Sequence, residues 1–414
     1  MFRHGPLDGP YVSGCVVLSG RFSQEVFSML DFDFHNPTRI VFGKDRLAEL
    51  DTLVPAGATV LVLYGGGSVR RFGTLDKVRA ALENGRTVHE FGGIEPNPRY
   101  ETLLKAVEKV RSDGVDFLLA VGGGSVMDGT KFVSLASVHD GDPESLLYHG
   151  FAGVPAAKAL PLGCVVTLPA TGSEMNMGGV ISKGDGKFPV LCPLTFPKFS
   201  ILDPTLTYSL PARQVANGVV DTFVHVMEQY LTFPVEGRFQ DRTSEGILLT
   251  LIEIGRYTID HPEDYDARAN LVWCATMGLN GLIGSGVPQD WATHMIGHEI
   301  TSLYGLDHGQ TLAIILPALM DVRRDAKREK LLQYAERIWN ITGGTDDERI
   351  DAAIARTRAF FESLGVKTRL SDHKLGVEHF DAVIKGLEAK GLTAMSERGD
   401  QTLEVSRNVL KAAL

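Results

Sequence analysis

The feature that most constrains the fold is a change of pattern near the middle of the chain. From Pro37 to Pro204, short β-branched runs alternate with helical stretches, whereas from Gln214 onward the sequence shows long amphipathic helices and few strand candidates. Alternation of strands and helices is typical of a wound parallel sheet. We therefore predict an α/β half followed by an all-helical half, with the boundary near residue 210.

The predicted elements follow from these periodicities. Long amphipathic helices are expected at Asp264–Gly281 and Asp325–Trp339. Residues 1–28 show no helix or strand period and are expected to be a disordered tail, or sequence upstream of a true start at Met29, so that a tail of residues 1–30 precedes the first domain. The expected domains are then 31–210 and 211–414. Strands are expected at Arg39–Phe42, Thr59–Tyr64, Thr87–Phe91, Phe117–Val121, Gly163–Leu168 and Ser200–Leu202.

Charge and cysteine usage exclude several classes of protein. The 414 residues carry a formal charge of -10, which gives no basic field for a nucleic acid. Four scattered cysteines without CxxC spacing indicate buried thiols in a cytoplasmic protein. The apolar run Leu312–Met320 contains Pro317 and is too short to cross a bilayer. A small-molecule substrate, with no nucleic acid and no membrane, is the expectation.

Two glycine clusters each follow a buried strand: VLVLYGGGSVRR (Val60 to Arg71) and FLLAVGGGSVMDGTK (Phe117 to Lys131). Backbone amides in such a loop can approach an anion, and the helix N-terminus adds about half a positive charge. Neither cluster satisfies GxGxxG or the Walker A pattern. A tight corner would explain either cluster alone, but two clusters at equivalent strand ends favour a bound dinucleotide.

The first cluster also bears on the choice of dinucleotide. Arg70 and Arg71 place positive charge beside it. An acidic residue at such a strand end favours a free ribose 2′-hydroxyl, whereas glycine with arginines suits a 2′-phosphate.

Other stretches frame the same crevice, each with a purely structural alternative. Asn97 with Pro98 has the chemistry of a helix N-cap. Ser125 with Asp128, and Thr171 with Glu174, have capping-box spacing. Lys187, in KGDGKFP, is expected to be an exposed loop lysine unless a phosphate or a nicotinamide carboxamide lies nearby.

The helical half concentrates residues that bind metals. Asp221 and His225 lie four residues apart in VVDTFVHVMEQ, and a carboxylate among those apolar neighbours needs a partner. His294 and His298 share a second helix face, which ends at Tyr304-Gly305. Asp307 is placed to cap a new helix whose first residue is His308, so that the turn folds His308 back toward His294.

An aspartate with three histidines suits Fe(II), Zn(II), Co(II) or Mn(II), and the lack of thiolates argues against a structural zinc site. A single histidine is more often a satisfied core residue, but the ensemble favours a metal. Spacing alone does not say which histidine of the four is left out.

Six ordered motifs now resemble a known family. They are GGIEPNP (Gly92–Pro98), AVGGGSVMD, TLPATGSE, the DTFVH pair, GVPQDWATH and HMIGHEITSLYGLDHGQ. Together they resemble the iron-containing, or group III, alcohol dehydrogenases of dehydroquinate synthase-like architecture. The similarity is greatest to the NADPH-dependent aldehyde reductase, or butanol dehydrogenase, branch, and it covers residues 31–414.

The resemblance implies a Rossmann-like N-terminal domain, an all-α C-terminal domain and an active site in the cleft between them. It implies NADP(H), one divalent metal, Fe(II) or Zn(II), an aldehyde or alcohol substrate and a homodimer. By motif position the metal ligands would be Asp221, His225, His294 and His308, which leaves His298 as a candidate proton relay. The implied cofactor contacts are Gly65, Gly66, Gly67, Ser68, Asn97, Gly122, Gly123, Gly124, Ser125, Asp128, Thr167, Thr171 and Lys187.

Two other functions fit parts of this pattern. Similar architectures host carbon-oxygen lyases and cyclases of the dehydroquinate synthase type, which need several Lys and Arg residues to hold a sugar phosphate. Between Asp221 and His308 the chain offers only Arg238, Arg242, Arg256 and Arg268, none within the ligand motifs. A non-catalytic nucleotide-binding protein would be expected to lack one or more of the metal-binding residues, and all four are present.

Overall fold

The computed structural model describes residues 28–414, so most of the predicted tail lies outside the described residues. The strands, in chain order, are Arg39–Phe42 (β1), Thr59–Tyr64 (β2), Thr87–Phe91 (β3), Phe117–Gly122 (β4), Leu162–Val166 (β5), Gly178–Lys183 (β6), Gly186–Leu191 (β7), Phe199–Leu202 (β8), Ala394–Met395 (β9) and Gln401–Thr402 (β10).

The helices fall into two groups. Those between the strands of the first half are Leu50–Leu53 (α1), Ser68–Arg71 (α2), Thr74–Leu82 (α3), Tyr100–Asp113 (α4) and Gly124–Ala136 (α5). Those of the second half are Ala212–Tyr230 (α6), Arg238–Asp260 (α7), Tyr265–Gly278 (α8), Ala292–Tyr304 (α9), His308–Val322 (α10), Arg328–Trp339 (α11), Asp346–Ser363 (α12), Phe380–Ala389 (α13) and Leu403–Ala412 (α14).

Six strands form one parallel sheet in the order β1-β8-β5-β4-β2-β3. A parallel sheet covered on both faces needs continuous apolar strands, and Val60–Leu63 and Phe117–Val121 are such runs, with every side chain at most 2% exposed. The predicted fold class is confirmed. The first three predicted strands have the predicted bounds, and the other three differ by one or two residues at an end.

The sheet order creates a crevice at the ends of two central strands. The chain passes from β2 to β3 on one side and then returns to β4 on the other side of β2. Ligands of open α/β sheets bind at such a reversal, outside the carboxyl ends of the strands. The two glycine clusters follow β2 and β4, so both border this crevice.

A β-hairpin that the sequence analysis missed lies beside the sheet. Strands β6 and β7 pair antiparallel from Gly178↔Leu191 to Lys183↔Gly186. The interpretation of KGDGKFP as an exposed loop is therefore wrong, because Lys187 lies on β7 and is only 9% exposed. The signal was in the sequence: a Gly184-Asp185 turn followed by Gly186 is typical of a two-residue hairpin.

The second half is helical except for the short β9–β10 pair. Its central element is α6, whose buried residues pack in one apolar cluster with residues of α7, α8, α10, α11 and α12. The predicted helices at Asp264–Gly281 and Asp325–Trp339 exist but are shorter than expected. Helix α8 lacks one residue at its start and three at its end, and α11 lacks three residues at its start. No helix among residues 28–414 is both long and apolar enough to span a membrane. The domain division near residue 210 stays a prediction.

Two glycines let backbones approach closely around α6. A Cβ atom on Gly218 would lie 2.5 Å from the Pro169 carbonyl oxygen, and one on Gly309 would lie 2.6 Å from the Asn217 carbonyl oxygen. Larger residues would push α6 away from the loop after β5 and from the start of α10. These contacts hold α6 against the crevice.

A buried lysine ties α5 to the hairpin. Lys131 is 1% exposed, and its Nζ donates to Ser173 Oγ at 2.9 Å, to Asn176 Oδ1 at 2.9 Å and to the Gly178 carbonyl at 2.7 Å. Burial lowers the pKa of Lys131 to about 8, while Asp128 opposes that shift. Its three donors match three acceptors, which is the condition for keeping an ammonium group inside a protein.

We expect Lys131→Met to destabilise the protein by about 3 kcal/mol, because three acceptors would lose their donor and the buried Asp128 would lose a neighbouring positive charge. The free energy of unfolding in urea measures this effect. The control is Lys105→Met, which changes an exposed lysine on α4 and should stay within about 0.5 kcal/mol of wild type. Equal stability of the two variants would contradict the assigned role of Lys131.

Candidate metal centre and dinucleotide crevice

Four side chains from three helices converge on one carboxylate oxygen. Asp221 and His225 lie on α6, His294 on α9 and His308 at the start of α10. The Nε2 atoms of His225, His294 and His308 lie 3.6, 3.7 and 3.6 Å from Asp221 Oδ1. The first three residues are at most 5% exposed, and His308 is half-buried. The structure thus brings together all four predicted ligands.

The distances from Asp221 Oδ1 fit a shared ion, most closely for Asp221, His294 and His308, while His225 joins the cluster through its 3.6 Å approach to Asp221. Ligand bonds of 2.0–2.2 Å place tetrahedral ligand atoms about 3.4 Å apart, close to the observed separations from Asp221 Oδ1. Asp221 Oδ1 and His294 Nε2 are both buried without a hydrogen-bond partner. Asp221, His294 and His308 offer atoms that all lie within 4.8 Å of one another. A divalent cation would satisfy these otherwise unpaired groups.

The electrostatics of the cluster favour a bound cation. Burial alone would raise the pKa of Asp221, but the neighbouring His225 and the other imidazoles hold it below its ordinary value, so the carboxylate is anionic. Burial lowers the pKa of His225 to about 4, which keeps this imidazole neutral. Burial likewise lowers the pKa of His308, whereas the charges of Glu228 and Asp221 overcome burial and raise the pKa of His294 to about 9. Metal binding at His294 therefore requires the release of one proton from its ring.

The turn between α9 and α10 forms as predicted, with one difference. Helix α9 ends before Gly305, whose φ of 70° permits the turn, and α10 begins at His308. Asp307 occupies the N-cap position, but the prediction that it caps the helix is wrong, because its side chain makes no cap hydrogen bond. Its Oδ2 instead accepts from Asn217 Nδ2 at 2.9 Å, which joins this turn to α6.

His298 lies beside the cluster without joining it. Its ring centroid is 5.0 Å from that of His308 and 6.0 Å from that of His294. Burial, together with the positive charge of Lys187, lowers the pKa of His298 well below its ordinary value. A neutral, half-buried imidazole at this place can donate or accept a proton.

The glycine clusters present backbone at the mouth of the crevice. Helix α5 begins at Gly124, where a Cβ atom would lie 2.5 Å from Thr171 Cγ2. A Cβ atom on Gly123 would lie 3.0 Å from Leu168 Cβ. The Thr167 N–H donates to the Gly122 carbonyl at 2.9 Å. The second cluster and the loop after β5 therefore form one continuous wall.

A hydrogen-bonded chain joins three of the predicted cofactor residues. The prediction that Asn97 is an N-cap is wrong, because α4 begins at Tyr100. Asn97 instead has a left-handed φ of 58°, which asparagine tolerates. Its N–H donates to Ser125 Oγ at 3.2 Å, and its Oδ1 accepts from Lys187 Nζ at 2.8 Å. Burial lowers the pKa of Lys187 to about 8.

The two capping boxes do not form. Asp128 accepts from Ser173 Oγ at 2.7 Å and from the Val180 N–H at 2.9 Å, so it links α5 to the hairpin. Glu174 is 1% exposed and accepts from the Thr276 hydroxyl at 2.6 Å, which joins this loop to α8. These carboxylates therefore accept hydrogen bonds from residues distant in the chain and not from the nearby residues that the spacing suggested.

The two arginines beside the first cluster differ in their surroundings. Arg70 donates to Glu90 Oε2 at 2.8 Å and also contacts the Tyr64 hydroxyl. Arg71 is exposed and lines a cavity of about 190 Å³ at the first cluster, together with hydroxyl and amide side chains of Ser68, Thr74, Thr167, Ser209 and Gln214. Arg71 is therefore the better placed of the two for an anionic group.

Two residues of this region escaped the sequence analysis. Lys131, described above, anchors the loop that contains Ser173. Glu228 lies seven residues after Asp221 on α6, and its Oε1 accepts the His294 N–H at 3.0 Å. The helical spacing of Glu228 from Asp221 was a usable signal, but its partner on another helix was not visible in the sequence.

Comparison with known proteins links both halves to one family. The family model for iron-containing alcohol dehydrogenase matches residues 37–204, and that for the C-terminal part of the Fe-containing alcohol dehydrogenase family matches residues 215–398. The chain is 58% identical to the NADPH-dependent aldehyde reductase YqhD of Escherichia coli K12, over 93% of this chain and 100% of that protein. It is 38% identical to NADP-dependent alcohol dehydrogenase 3 of Entamoeba histolytica, over 87% and 94% of the two chains.

Solved structures agree with this assignment. The crystal structure of YqhD from E. coli K-12 superposes with a TM-score of 0.92 at 57% identity, covering 94% of this chain and 100% of that one. NADH-dependent butanol dehydrogenase A from Thermotoga maritima superposes with a TM-score of 0.88 at 33% identity, covering 94% and 99%.

Proposed function

Because the chain belongs to the iron-containing alcohol dehydrogenase family, and is thus an oxidoreductase, we propose that it reduces aldehydes to primary alcohols with NADPH. The observation that carries this proposal is the convergence of three imidazole nitrogens on Asp221 Oδ1 next to the dinucleotide crevice. The two sites are linked through their neighbours, since the hydroxyl of Thr222, next to Asp221, donates to the carbonyl of Ala170, next to Thr171.

The residues proposed to hold the metal are Asp221, His225, His294 and His308. Their oxygen and nitrogen donors suit Fe(II) or Zn(II). In such a site the ion supplies Lewis-acid polarisation of the carbonyl oxygen, and the reduced nicotinamide supplies the hydride. The protein orients the aldehyde between the two and excludes water, with Trp291 packed 5.5 Å from the His294 ring.

The proposed cofactor site is the crevice at the ends of β2 and β4. Backbone amides of the clusters Gly65–Ser68 and Gly122–Ser125 would hold phosphate oxygens. Thr167 and Thr171 line the wall after β5, and Asp128 fixes that wall to the hairpin. Asn97 and Lys187 form a hydrogen-bonded pair on the side of the crevice that faces the cluster, where the charge of Asp221 raises the pKa of Lys187 against the effect of burial.

The alternatives fit less well. A lyase of the dehydroquinate synthase type needs several cations to hold a sugar phosphate, whereas the lysines whose charge acts on His298 are Lys187 and Lys390, the latter paired with Glu299. A non-catalytic protein would not preserve four convergent ligands. Membership of the family, together with similarity to an aldehyde reductase and to an alcohol dehydrogenase, favours hydride transfer.

Assembly, location and domain organisation complete the proposal. We propose a cytoplasmic homodimer that acts on a small molecule and binds neither nucleic acid nor membrane. Buried, unpaired Cys164, Cys192 and Cys274 suit a reducing compartment. The strand-rich segment up to β8 and the helical segment from α6 support domains at 31–210 and 211–414.

The decisive test is a panel of aldehydes with NADPH. We expect one NADPH to be oxidised for each aldehyde reduced, with about one Fe(II) or Zn(II) ion per chain, because the metal and nicotinamide act on the same carbonyl. Chelation should abolish the activity and metal addition should restore it. Product formation without net NADPH consumption would favour the lyase instead.

Cofactor preference gives a second prediction. Arg71→Ala should raise the KM for NADPH about tenfold and leave that for NADH nearly unchanged, because one charge-assisted contact to the 2′-phosphate is lost. Arg70→Ala is the matched control, since Glu90 already engages Arg70. Steady-state kinetics with both cofactors measure the effect. Equal changes for NADPH and NADH would contradict a phosphate contact.

The role of His298 can be tested in the same assay. We propose that its imidazole passes a proton, through water and a cofactor ribose hydroxyl, to the product oxygen. His298→Ala should then lower kcat about 100-fold and alter its pH dependence while metal content stays constant. His261→Ala, on an exposed histidine, is the control. An unchanged rate of hydride transfer and an unchanged pH dependence in His298→Ala would contradict the proposed proton relay.

A further inference from the structure

Both carboxylate oxygens of Glu228 engage one residue of the proposed metal site. Glu228 lies on α6, three residues after His225, and is only 4% exposed. Its Oε1 accepts the backbone N–H of His294 at 3.0 Å, and its Oε2 contacts Nδ1 of the same imidazole. The carboxylate therefore holds the main chain and the ring of His294 at once.

This contact determines which ring nitrogen carries the proton. An ionised carboxylate only accepts hydrogen bonds, so Nδ1 of His294 must be the donor. Nε2 is then the ring nitrogen available to a metal ion, and it is the buried atom that lies 3.7 Å from Asp221 Oδ1 without a hydrogen-bond partner. A metal ligand needs that unprotonated nitrogen, turned toward the ion.

From this geometry we propose that Glu228 is a positioning residue, which sets the tautomer and orientation of His294 for the metal that the proposed function requires. Helix α6 then controls three of the four ligands, because it carries Asp221 and His225 and orients His294 through Glu228. Glu228 does not touch substrate or cofactor in this role.

The surroundings of Glu228 keep this contact in place. The Asp290 N–H donates to the Glu228 carbonyl at 2.8 Å, and Asp290 Oδ1 accepts the Ala292 N–H at the start of α9. Asp290 also pairs with the buried Lys327 at 2.8 Å, which in turn pairs with Glu397 at 3.0 Å. The loop before α9 is thereby fixed to α6 and to the C-terminal residues.

A simpler role for Glu228 is to satisfy an unpaired N–H in the first turn of α9. The two roles differ in what Glu228→Gln does. Glutamine offers one acceptor oxygen and one NH₂ group, so it can serve only one of the two His294 N–H groups. A structural role predicts a loss of stability alone, whereas a positioning role predicts weaker metal binding in a folded protein.

The experiment measures the affinity of the metal-free chain for Zn(II) and Co(II) against a competing chelator, without substrate or NADPH. We expect Glu228→Gln to weaken binding 10- to 100-fold and to change the visible absorption of bound Co(II). Glu228→Asp keeps the charge but has a shorter reach, so its affinity should fall between wild type and Glu228→Gln. The control is Glu174→Gln, an equally buried carboxylate that contacts no proposed ligand, and it should bind metal as wild type does.

The inference is wrong if Glu228→Gln binds within about twofold of wild type, or if Glu174→Gln weakens binding equally. Circular dichroism and the unfolding midpoint of each metal-free variant show that the comparison concerns folded proteins, and Glu228→Asp serves if Glu228→Gln does not fold. A wild-type chain that binds no divalent ion would overturn the proposed function itself. If wild type binds the ion and the Glu228 variants bind it with the same affinity, only the role of Glu228 is contradicted.

Discussion

The interaction on which the rest of the site depends is the burial of the Asp221 carboxylate among three imidazoles. An anionic group at 4% exposure is costly unless its charge is compensated, and no lysine or arginine is paired with it in the described structure. The imidazoles are placed with their nitrogens toward the same oxygen. A shared cation would compensate the buried carboxylate and engage the imidazole nitrogens, so the need for a metal and the chemistry of the cluster have one origin.

The architecture serves to hold that cluster at the cofactor crevice. The reversal of strand order at β2 places both glycine clusters on one edge of the sheet. Helix α6 is pressed against the same edge, because Gly218 permits contact with the Pro169 carbonyl. The β6–β7 hairpin closes one side and carries Lys187 inward. A nicotinamide held in the crevice and an ion held by the cluster would thereby act on one carbonyl group.

The local prediction failed where long-range partners competed with local ones. Asn97, Asp128 and Glu174 each had the spacing of a helix cap, yet each bonds to a residue distant in the chain. Capping contributes about 1 kcal/mol, whereas a buried polar group left without a partner costs more. Tertiary contacts therefore decide the fate of such residues, and sequence spacing shows only what they could do locally.

The sequence by itself determined the parallel sheet, the helical second half, the family and the residue types of the metal cluster. These follow from hydrophobic period and from motifs that local chemistry constrains. Only the tertiary structure decided that Nε2 atoms from three helices meet at Asp221 Oδ1, that Lys187 is buried on a strand and that Glu228 orients His294. Those features depend on how distant segments pack together. The periodicity of a helix or strand indicates which face is buried, but not which other element that face contacts.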